Sequence, residues 1–203
     1  MNQAEVVYRR NVNPAKGLAV AGIVFVKWLL AIPHLIIVSI LGSLAMVAGY
    51  IGYFIVAFTG KLPDGIQTFV SMWMRWYVRT YGWVAGIADE YPPFETDPAR
   101  YAIDAKTPHN DNPSKGWAVA GIFFVKFLVA VPHLIVIAVL SGAMYIAIWI
   151  GYFVVAFTGK LPDGIQNFVA GTYQWLIRVM AWITGLTDEY PPFSLEISPQ
   201  TSA

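Results

Sequence analysis

Apolar residues fill two long stretches of the chain, and short polar segments separate them. Within residues 17–59 the only strongly polar side chains are those of Lys27 and His34, and residues 116–158 follow the same pattern. One bilayer crossing needs about 20 apolar residues, so a stretch of about 43 residues is long enough for two crossings. The Leu-Gly-Ser sequence at 41–43 marks the natural turn between them.

This pattern predicts a transmembrane helical hairpin in each half of the chain. We expect its helices at about 17–41 and 44–60, and again at about 116–140 and 143–159. The second helix of each hairpin is short, about 24 Å against a hydrocarbon core of about 30 Å. Two other divisions remain open. In the first, the tip of the hairpin stops short of a full crossing. In the second, the first helix ends at Pro33 and one long helix follows it, since proline disfavours an uninterrupted helix.

A third helix is predicted after each Lys-Leu-Pro-Asp-Gly turn, at about 66–87 and 165–186. Its polar side chains form one narrow stripe. They are Gln67, Ser71, Arg75 and Arg79 in the first half, and Gln166, Gln174 and Arg178 in the second. Tryptophan and tyrosine flank the stripe, which is typical of an amphipathic helix lying in the membrane interface. A third crossing is the alternative, because about 22 residues are enough to span.

The two halves of the chain are copies of one unit. Residues 13–94 align with 112–193 at a constant shift of about 99 residues, with about 48 identities in about 82 positions, far above chance. An N-terminal segment, 1–12, precedes repeat 1, a polar linker, 95–111, joins the repeats, and a tail, 194–203, follows repeat 2. The expected fold is an all-α integral membrane protein with about four transmembrane helices related by a pseudo-two-fold axis.

Composition narrows the class further. The 203 residues are 57% hydrophobic and only 12% charged, about half the usual charged fraction, which argues against a water-soluble monomer. The formal net charge of +1 gives no reason to expect a nucleic-acid partner. Without cysteine, the chain has neither disulfides nor thiolate metal sites. Residues 1–16 are polar and lack the apolar core of a signal peptide, so the first apolar stretch is expected to be retained as an anchor.

Basic residues set the expected topology. The basic residues of repeat 1 recur at matching positions in repeat 2. An even number of membrane crossings per repeat would keep both sets on one side of the membrane, as the positive-inside rule requires. Arg9 and Arg10 then place the N-terminal segment in the cytoplasm. We therefore expect a multi-pass protein of the bacterial inner membrane.

Lys27 and Lys126 are the first candidates for a functional site, because a charge at the centre of a spanning helix costs about 2.5–3.5 kcal/mol. As an alternative, these lysines extend to headgroup phosphates, which would make anionic phospholipid a partner. Neighbouring basic groups share these helix faces or the interfacial stripe. The full set expected to face lipid or a ligand is Lys16, Lys27, His34, Arg79, Lys115, Lys126, His133 and Arg178.

His34 and His133 each follow a proline. Two histidines related by an internal repeat could meet near the two-fold axis and act as axial ligands of a haem or pigment. The commoner role is a hydrogen bond to a carbonyl that the proline leaves free. No other metal site is expected.

Several catalytic motifs are absent from the sequence, including a nucleophile elbow, a phosphate loop, a dinucleotide fingerprint and a zinc helix. We therefore expect no enzyme. The favoured hypothesis is an accessory or scaffold subunit of a larger membrane complex, or a lipid-organising protein, with other membrane subunits or a second copy as partners. The alternatives are a small transporter or channel that uses Lys27, Lys126, His34 and His133, and a haem- or pigment-binding membrane subunit.

Three recurring motifs carry a resemblance: FVKWLLAIPH at 25–34, AFTGKLPDGI at 57–66 and DEYPPF at 89–94. Together they resemble the small bacterial membrane proteins classed only as a domain of unknown function, over about 80% of the chain. Typical members have Arg-Tyr-Pro-Arg-Gly where this chain has residues 61–65, and often Arg where Glu90 stands, so this chain is less basic. The resemblance implies a multi-pass inner-membrane protein and supplies no activity or site residue.

Overall fold

The structure is a computed structural model that describes residues 3–94 and 101–197. This described part contains two strands and, in each repeat, a short, a long and a medium helix. The elements are β1 (Glu5–Tyr8), α1 (Lys16–Ile23), α2 (Val26–Thr59), α3 (Asp64–Val84), β2 (Ile103–Lys106), α4 (Lys115–Ile122), α5 (Val125–Thr158) and α6 (Asp163–Ile183). The fold is therefore mostly helical, with an internal repeat.

Each repeat has one continuous helix of 34 residues where the sequence predicted a hairpin. Helix α2 passes through residues 41–43 without a break, and the Ser43 hydroxyl donates to the Ser39 carbonyl, 3.0 Å away, within the helix. A Cβ atom at Gly42 would lie 2.8 Å from the indole nitrogen of Trp73. The glycine therefore makes room for packing instead of a turn, and the predicted hairpin is wrong.

The chain turns earlier, at Phe25 and Phe124. Their φ angles of 62° and 59° lie in the left-handed region, which aromatic residues rarely adopt. Each turn separates a short helix from the long helix that follows. The proline-break alternative is also wrong, because Pro33 lies inside α2.

An antiparallel ribbon of β1 and β2 marks the pseudo-two-fold axis. Val6 pairs with Ala105, and these two residues are separated by the same shift as the repeats. The axis therefore passes between them and stands perpendicular to the ribbon, as the local symmetry of an antiparallel pair requires. Neither strand was predicted, because each has only four residues and lies outside the aligned repeat, in the N-terminal segment or the linker.

The strands lie along the central helices α3 and α6. A Cβ atom at Gly82 would contact Ile103 at the start of β2, and beyond the strand the Thr107 hydroxyl donates to Ser71 at 2.6 Å. This stretch therefore runs antiparallel to α3, whose axis is parallel to the ribbon. Because the two-fold axis is perpendicular to the ribbon, α3 and α6 are antiparallel to each other.

The long helices form a third layer. The first half of α2 packs antiparallel on α3, where Trp76 donates to His34 at 2.9 Å. Its second half reaches the end of α6, where a Cβ atom at Gly49 would lie 3.0 Å from the Thr184 carbonyl oxygen. On α3, the residues facing α2 lie about 120° around the helix from those facing the ribbon. Helices α2 and α5 therefore lie on the side away from the ribbon.

The short helices are exchanged between the repeats. Helix α1 packs on α5, where Gly22 faces the ring of Tyr152, and α4 packs on α2, where Gly121 faces the ring of Tyr53. Such reciprocal contacts are the signature of a two-fold interface. Each repeat therefore completes its core with a helix from the other.

The two medium helices are confirmed, with boundaries two or three residues from those predicted, but their polar stripe packs against protein. Eleven of the 21 residues of α3 are buried, and its polar stripe meets β2 and the linker. Arg79 is 1% exposed and binds Asp104. The linker supplies polar partners that the helix sequence alone does not reveal, so the stripe faces protein instead of lipid headgroups.

Candidate functional site

Lys27 lies inside the molecule, 1% exposed, between the two repeats. Its ammonium group donates to the carbonyl of Trp83 and lies 4.7 Å from the centre of the Trp83 ring. The ring of Tyr152, from repeat 2, lies 5.5 Å away on α5. Aromatic faces attract a desolvated ammonium group, so these rings replace part of its lost hydration.

Lys126 occupies the equivalent place in repeat 2, also 1% exposed. Its ammonium nitrogen lies 4.9 Å from the Trp182 ring centre, 5.3 Å from that of Tyr53, and 3.9 Å from the Asp188 carboxylate. Neither lysine reaches the surface. The structure therefore places both away from headgroup phosphates and among aromatic side chains.

The aspartates of the two DEYPPF motifs connect these lysines to the short helices. Asp89 accepts hydrogen bonds from the backbone of Ala15 at 2.8 Å and from the side chain of Asn11 at 3.0 Å. Asp188 accepts one from the backbone of Ser114 at 2.6 Å. Ala15 and Ser114 immediately precede α1 and α4, so each carboxylate holds the start of a short helix. The Asp188 carboxylate also faces the buried Lys126 ammonium group.

His34 is fully buried two helical turns after Lys27. Its Nδ1 accepts the hydrogen bond from the Trp76 indole, and its ring stacks on Phe94 with 4.0 Å between ring centres. Tyr91 meets the same ring edge-on at 5.0 Å. An accepting Nδ1 places the proton of the neutral imidazole on Nε2.

His133 has equivalent contacts in repeat 2, with Trp175 at 2.9 Å and stacked Phe193 at 3.9 Å. Each imidazole is thus enclosed by rings of its own repeat, and the structure does not bring His34 and His133 together at the two-fold axis. A haem or pigment ligand would need a free lone pair on Nε2, where this hydrogen bond leaves a proton. In residues 3–94 and 101–197, no cluster of three or more candidate ligands could hold a metal ion.

The two arginines of the expected lipid-facing set also face inwards. The Arg79 guanidinium binds both carboxylate oxygens of Asp104, at 3.0 and 3.3 Å, and ties α3 to β2. Burial lowers the pKa of the Arg178 guanidinium, while the nearby carboxylates of Glu5, Glu196 and Glu189 act in the opposite direction. Arg79 therefore connects α3 to the ribbon, and Arg178 lies half-buried near carboxylates of β1 and the C-terminal segment.

Lys16 and Lys115 are exposed, unlike the other members of the predicted set. The Lys16 ammonium group lies 3.5 Å from the Phe157 carbonyl at the end of α5, and that of Lys115 lies 3.4 Å from the Phe58 carbonyl at the end of α2. A cation is favourable at a helix C-terminus. Lys160 and Lys61 follow these helix ends in sequence, and both are exposed. We call the pairs Lys16/Lys160 and Lys61/Lys115 the basic corners.

The long helices present an extended exposed surface that is apolar. Twelve large hydrophobic side chains of α2 and eleven of α5 are at least partly exposed, including Leu29 at 64%, Ile40 at 55% and Phe58 at 83%. The buried residues of α2 form one stripe on the opposite side of the helix. We call these exposed surfaces of α2 and α5 together the outer face. A monomeric soluble protein rarely exposes an apolar patch of this extent.

An apolar groove of about 670 Å³ opens between the start of α2 and the second half of α5. Its walls include Phe25, Trp28, Tyr145 and Trp149. In the equivalent place of repeat 2, Tyr50 stacks on Phe124 with 5.5 Å between ring centres. The groove is therefore open on one side of the two-fold axis, whereas stacked aromatic rings occupy the equivalent position on the other side.

By length and composition, α2 and α5 are each suited to crossing a membrane. A family model described as "Domain of unknown function (DUF4389)" matches residues 23–95 and again 122–194. Neither a curated protein nor a solved structure matches the chain. Each matched unit contains the long helix, the medium helix and the DEYPPF motif, which confirms a domain of unknown function in duplication. The chain therefore belongs to the DUF4389 family and carries its unit twice.

Proposed function

We propose that this protein is a non-catalytic component of the bacterial inner membrane that organises lipid around itself. The observation that carries this proposal is the outer face of α2 and α5. Across the 34 residues of α2 the only charged side chain is Lys27, which is buried. Nothing charged interrupts the outer face on this helix.

The size of the outer face argues against its exposure to water. Full burial of one large apolar side chain contributes about 1.5–3 kcal/mol. The twenty-three side chains of the outer face would therefore gain tens of kcal/mol even from partial transfer to hydrocarbon, by this order-of-magnitude estimate. Lipid tails fit this surface because it is long, mostly apolar and free of charged side chains.

The polar clusters support a structural role. Lys27, His34 and their equivalents are closed in by aromatic rings and hydrogen bonds that hold α2 and α5 on the central helices. A transporter or channel would need such groups along an open polar path. The lysines and histidines described above have the opposite arrangement, because each is buried and enclosed by aromatic side chains of the protein.

The proposal is tested by membrane fractionation and lipid analysis. We expect the full chain to stay with the membranes through an alkaline carbonate wash and to leave them only in detergent, with co-purifying phospholipid. A monodisperse, detergent-free monomer in the soluble fraction would refute membrane insertion. Stoichiometric co-purification of another membrane protein without bound phospholipid would instead favour an accessory subunit.

The basic corners give the proposal a lipid preference. Replacing Lys16, Lys61, Lys115 and Lys160 with Gln should weaken binding to vesicles containing phosphatidylglycerol, because each lysine near an anionic surface contributes about 1 kcal/mol. Binding to phosphatidylcholine vesicles should change little. The matched control is Lys106→Gln on the ribbon, which is expected to leave binding to both types of vesicle unchanged. Equal loss on both vesicle types would contradict the electrostatic preference.

A further inference from the structure

We infer that the molecule lies flat in one leaflet of the bilayer, with its pseudo-two-fold axis along the membrane normal. Helices α2 and α5 then run parallel to the membrane plane and neither crosses it. The partner of the outer face is the acyl-chain layer of a single leaflet, while the β1–β2 ribbon faces water. This inference rests on the proposed membrane location and specifies its geometry.

The direction of the axis follows from contacts. The axis is perpendicular to the ribbon, and α3 is parallel to the ribbon because its contacts with the β2 segment extend from Gly82 to Ser71. Helix α2 lies antiparallel along α3, with Lys27 at Trp83 and His34 at Trp76. All four longer helices are therefore roughly perpendicular to the axis, and α2 and α5 are antiparallel to each other.

If α2 and α5 crossed the bilayer, the axis would have to lie in the membrane plane at mid-depth, as it does between inverted repeats. The ribbon lies on that axis at the surface of the molecule. Its charged residues Glu5, Asp104 and Lys106 would then lie at the centre of the hydrocarbon, and Lys106 is exposed at the surface of the ribbon. An exposed charge such as that of Lys106 costs about 2.5–3.5 kcal/mol at this depth. The flat orientation places the same residues in water.

The basic corners lead to the same orientation. In a crossing arrangement, the ends of antiparallel α2 and α5 would lie on opposite sides of the membrane. Lys61 and Lys115 would then face one compartment and Lys16 and Lys160 the other, which the positive-inside rule disfavours. In the flat arrangement all four lysines lie at the level of one headgroup layer.

The length of the long helices is the third argument. A helix of 34 residues is about 51 Å long, whereas the hydrocarbon core is about 30 Å thick. Matching the two would need a tilt of about 54°, beyond the usual range of about 0–40°. The exposed apolar side chains extend from Val26 to Phe58, so almost the whole helix would have to stay within hydrocarbon.

The absence of cysteine from the natural sequence allows a direct test with single-cysteine variants of the full chain. Lys61→Cys and Lys160→Cys mark the ends of α2 and α5, and Lys106→Cys marks the ribbon. A membrane-impermeant maleimide is applied to right-side-out and inside-out vesicles. We expect all three variants to react from one and the same side. Reaction of positions 61 and 160 from opposite sides, or of every position from both sides, would overturn the flat orientation.

A depth measurement gives a second, independent readout. Cysteines replacing Leu29, Ile40 and Ile51 carry spin labels on one side of α2, at intervals of eleven residues. The flat orientation predicts similar depths for all three labels in accessibility measurements with oxygen and a nickel chelate. A crossing helix predicts a label at 40 that is deeper by about 10 Å or more, since eleven residues span about 16 Å.

These outcomes are separable from failure of the proposed function. If the unmodified chain is not retained in membranes, the proposed function fails before any label is applied. If the chain is retained but its two helix ends react from opposite sides, membrane location stands and only the flat orientation is refuted. Variants that no longer fractionate with membranes are replaced by the neighbouring positions Thr59→Cys and Thr158→Cys, which are both exposed.

Discussion

At each buried histidine, one side chain joins three parts of its repeat. His34 lies on the long helix, receives a hydrogen bond from the medium helix and stacks on the Phe of the DEYPPF motif. The motif and the histidine recur together in repeat 2. This shared recurrence is a signal in the sequence that links the motif to the histidine.

We predict that His34→Ala destabilises the protein by about 2–4 kcal/mol, because it opens a cavity and leaves the buried Trp76 indole without its acceptor. His133→Ala should cost a similar amount. Unfolding followed by tryptophan fluorescence in detergent measures both. His109→Ala is the control, since His109 is exposed in the linker. Equal destabilisation by all three variants would contradict a specific role of the buried histidines.

The second prediction at this scale concerns Lys126 and Asp188. Asp188→Ala should destabilise by about 1–3 kcal/mol, since it removes the acceptor at the start of α4 and leaves a buried ammonium group uncompensated. Adding Lys126→Met should recover part of the loss. Chemical unfolding of both single variants and the double variant gives the coupling free energy. Additivity within about 0.5 kcal/mol would show that the two groups act independently.

At the scale of elements, the continuity of the long helices is the main departure from expectation. The Leu-Gly-Ser sequence has the composition of a turn, but at Gly42 the missing side chain admits the Trp73 indole. In repeat 2 the order is Leu-Ser-Gly, and a Cβ atom at Gly142 would meet nothing within 4 Å. The two glycines therefore occupy the same kind of helix with different surroundings.

This difference gives a matched pair of substitutions. Gly42→Ala should destabilise by about 1–3 kcal/mol, because the new methyl group overlaps Trp73. Gly142→Ala should stabilise by about 0.5–1 kcal/mol through helix propensity alone. Thermal unfolding in one detergent, followed by circular dichroism, compares them. If both variants were destabilised alike, a turn at this position would fit better than a continuous helix.

At the scale of the whole molecule, the exchange of the short helices makes each repeat depend on the other. Helix α1 packs mainly on α5 and α4 mainly on α2, and the ribbon needs one strand from each half. Isologous contacts of this kind are those of a symmetric dimer. The chain is therefore organised as a covalently linked pair of equivalent units.

We predict that residues 1–100 and 101–203, co-expressed as separate chains, assemble in the membrane and co-purify in mild detergent. Residues 1–100 alone should form a homodimer, because repeat 1 can supply both halves of each reciprocal contact. Tagged pulldown and light scattering in detergent test these expectations. The prediction fails if either half is a stable monomer with native-like helical content.

The sequence predicted the helical fold, the repeat and the medium helices well, because these depend on local composition and on internal identity. It placed Lys16, Lys27 and His34 on one helix face. The structure confirms this for Lys27 and His34, whereas Lys16 lies on α1, before the turn at Phe25. The sequence did not show that the side chains of Lys27 and His34 are enclosed, because the enclosing rings lie on α3, on α5 and in the DEYPPF motif. Contacts between elements distant in sequence leave no local periodicity.

By itself, the sequence determined that the chain is apolar, duplicated and helical, and that its charges recur at matched positions. Only the tertiary structure decided that each long apolar stretch contains one long helix. It also decided that the linker contributes a strand and that the polar stripe of α3 faces this linker. The physical reason lies in the range of the interactions. Hydrophobic pattern and turn chemistry act over a few residues, whereas the partner of Gly42, Lys27 or Arg79 is chosen by packing across the whole molecule.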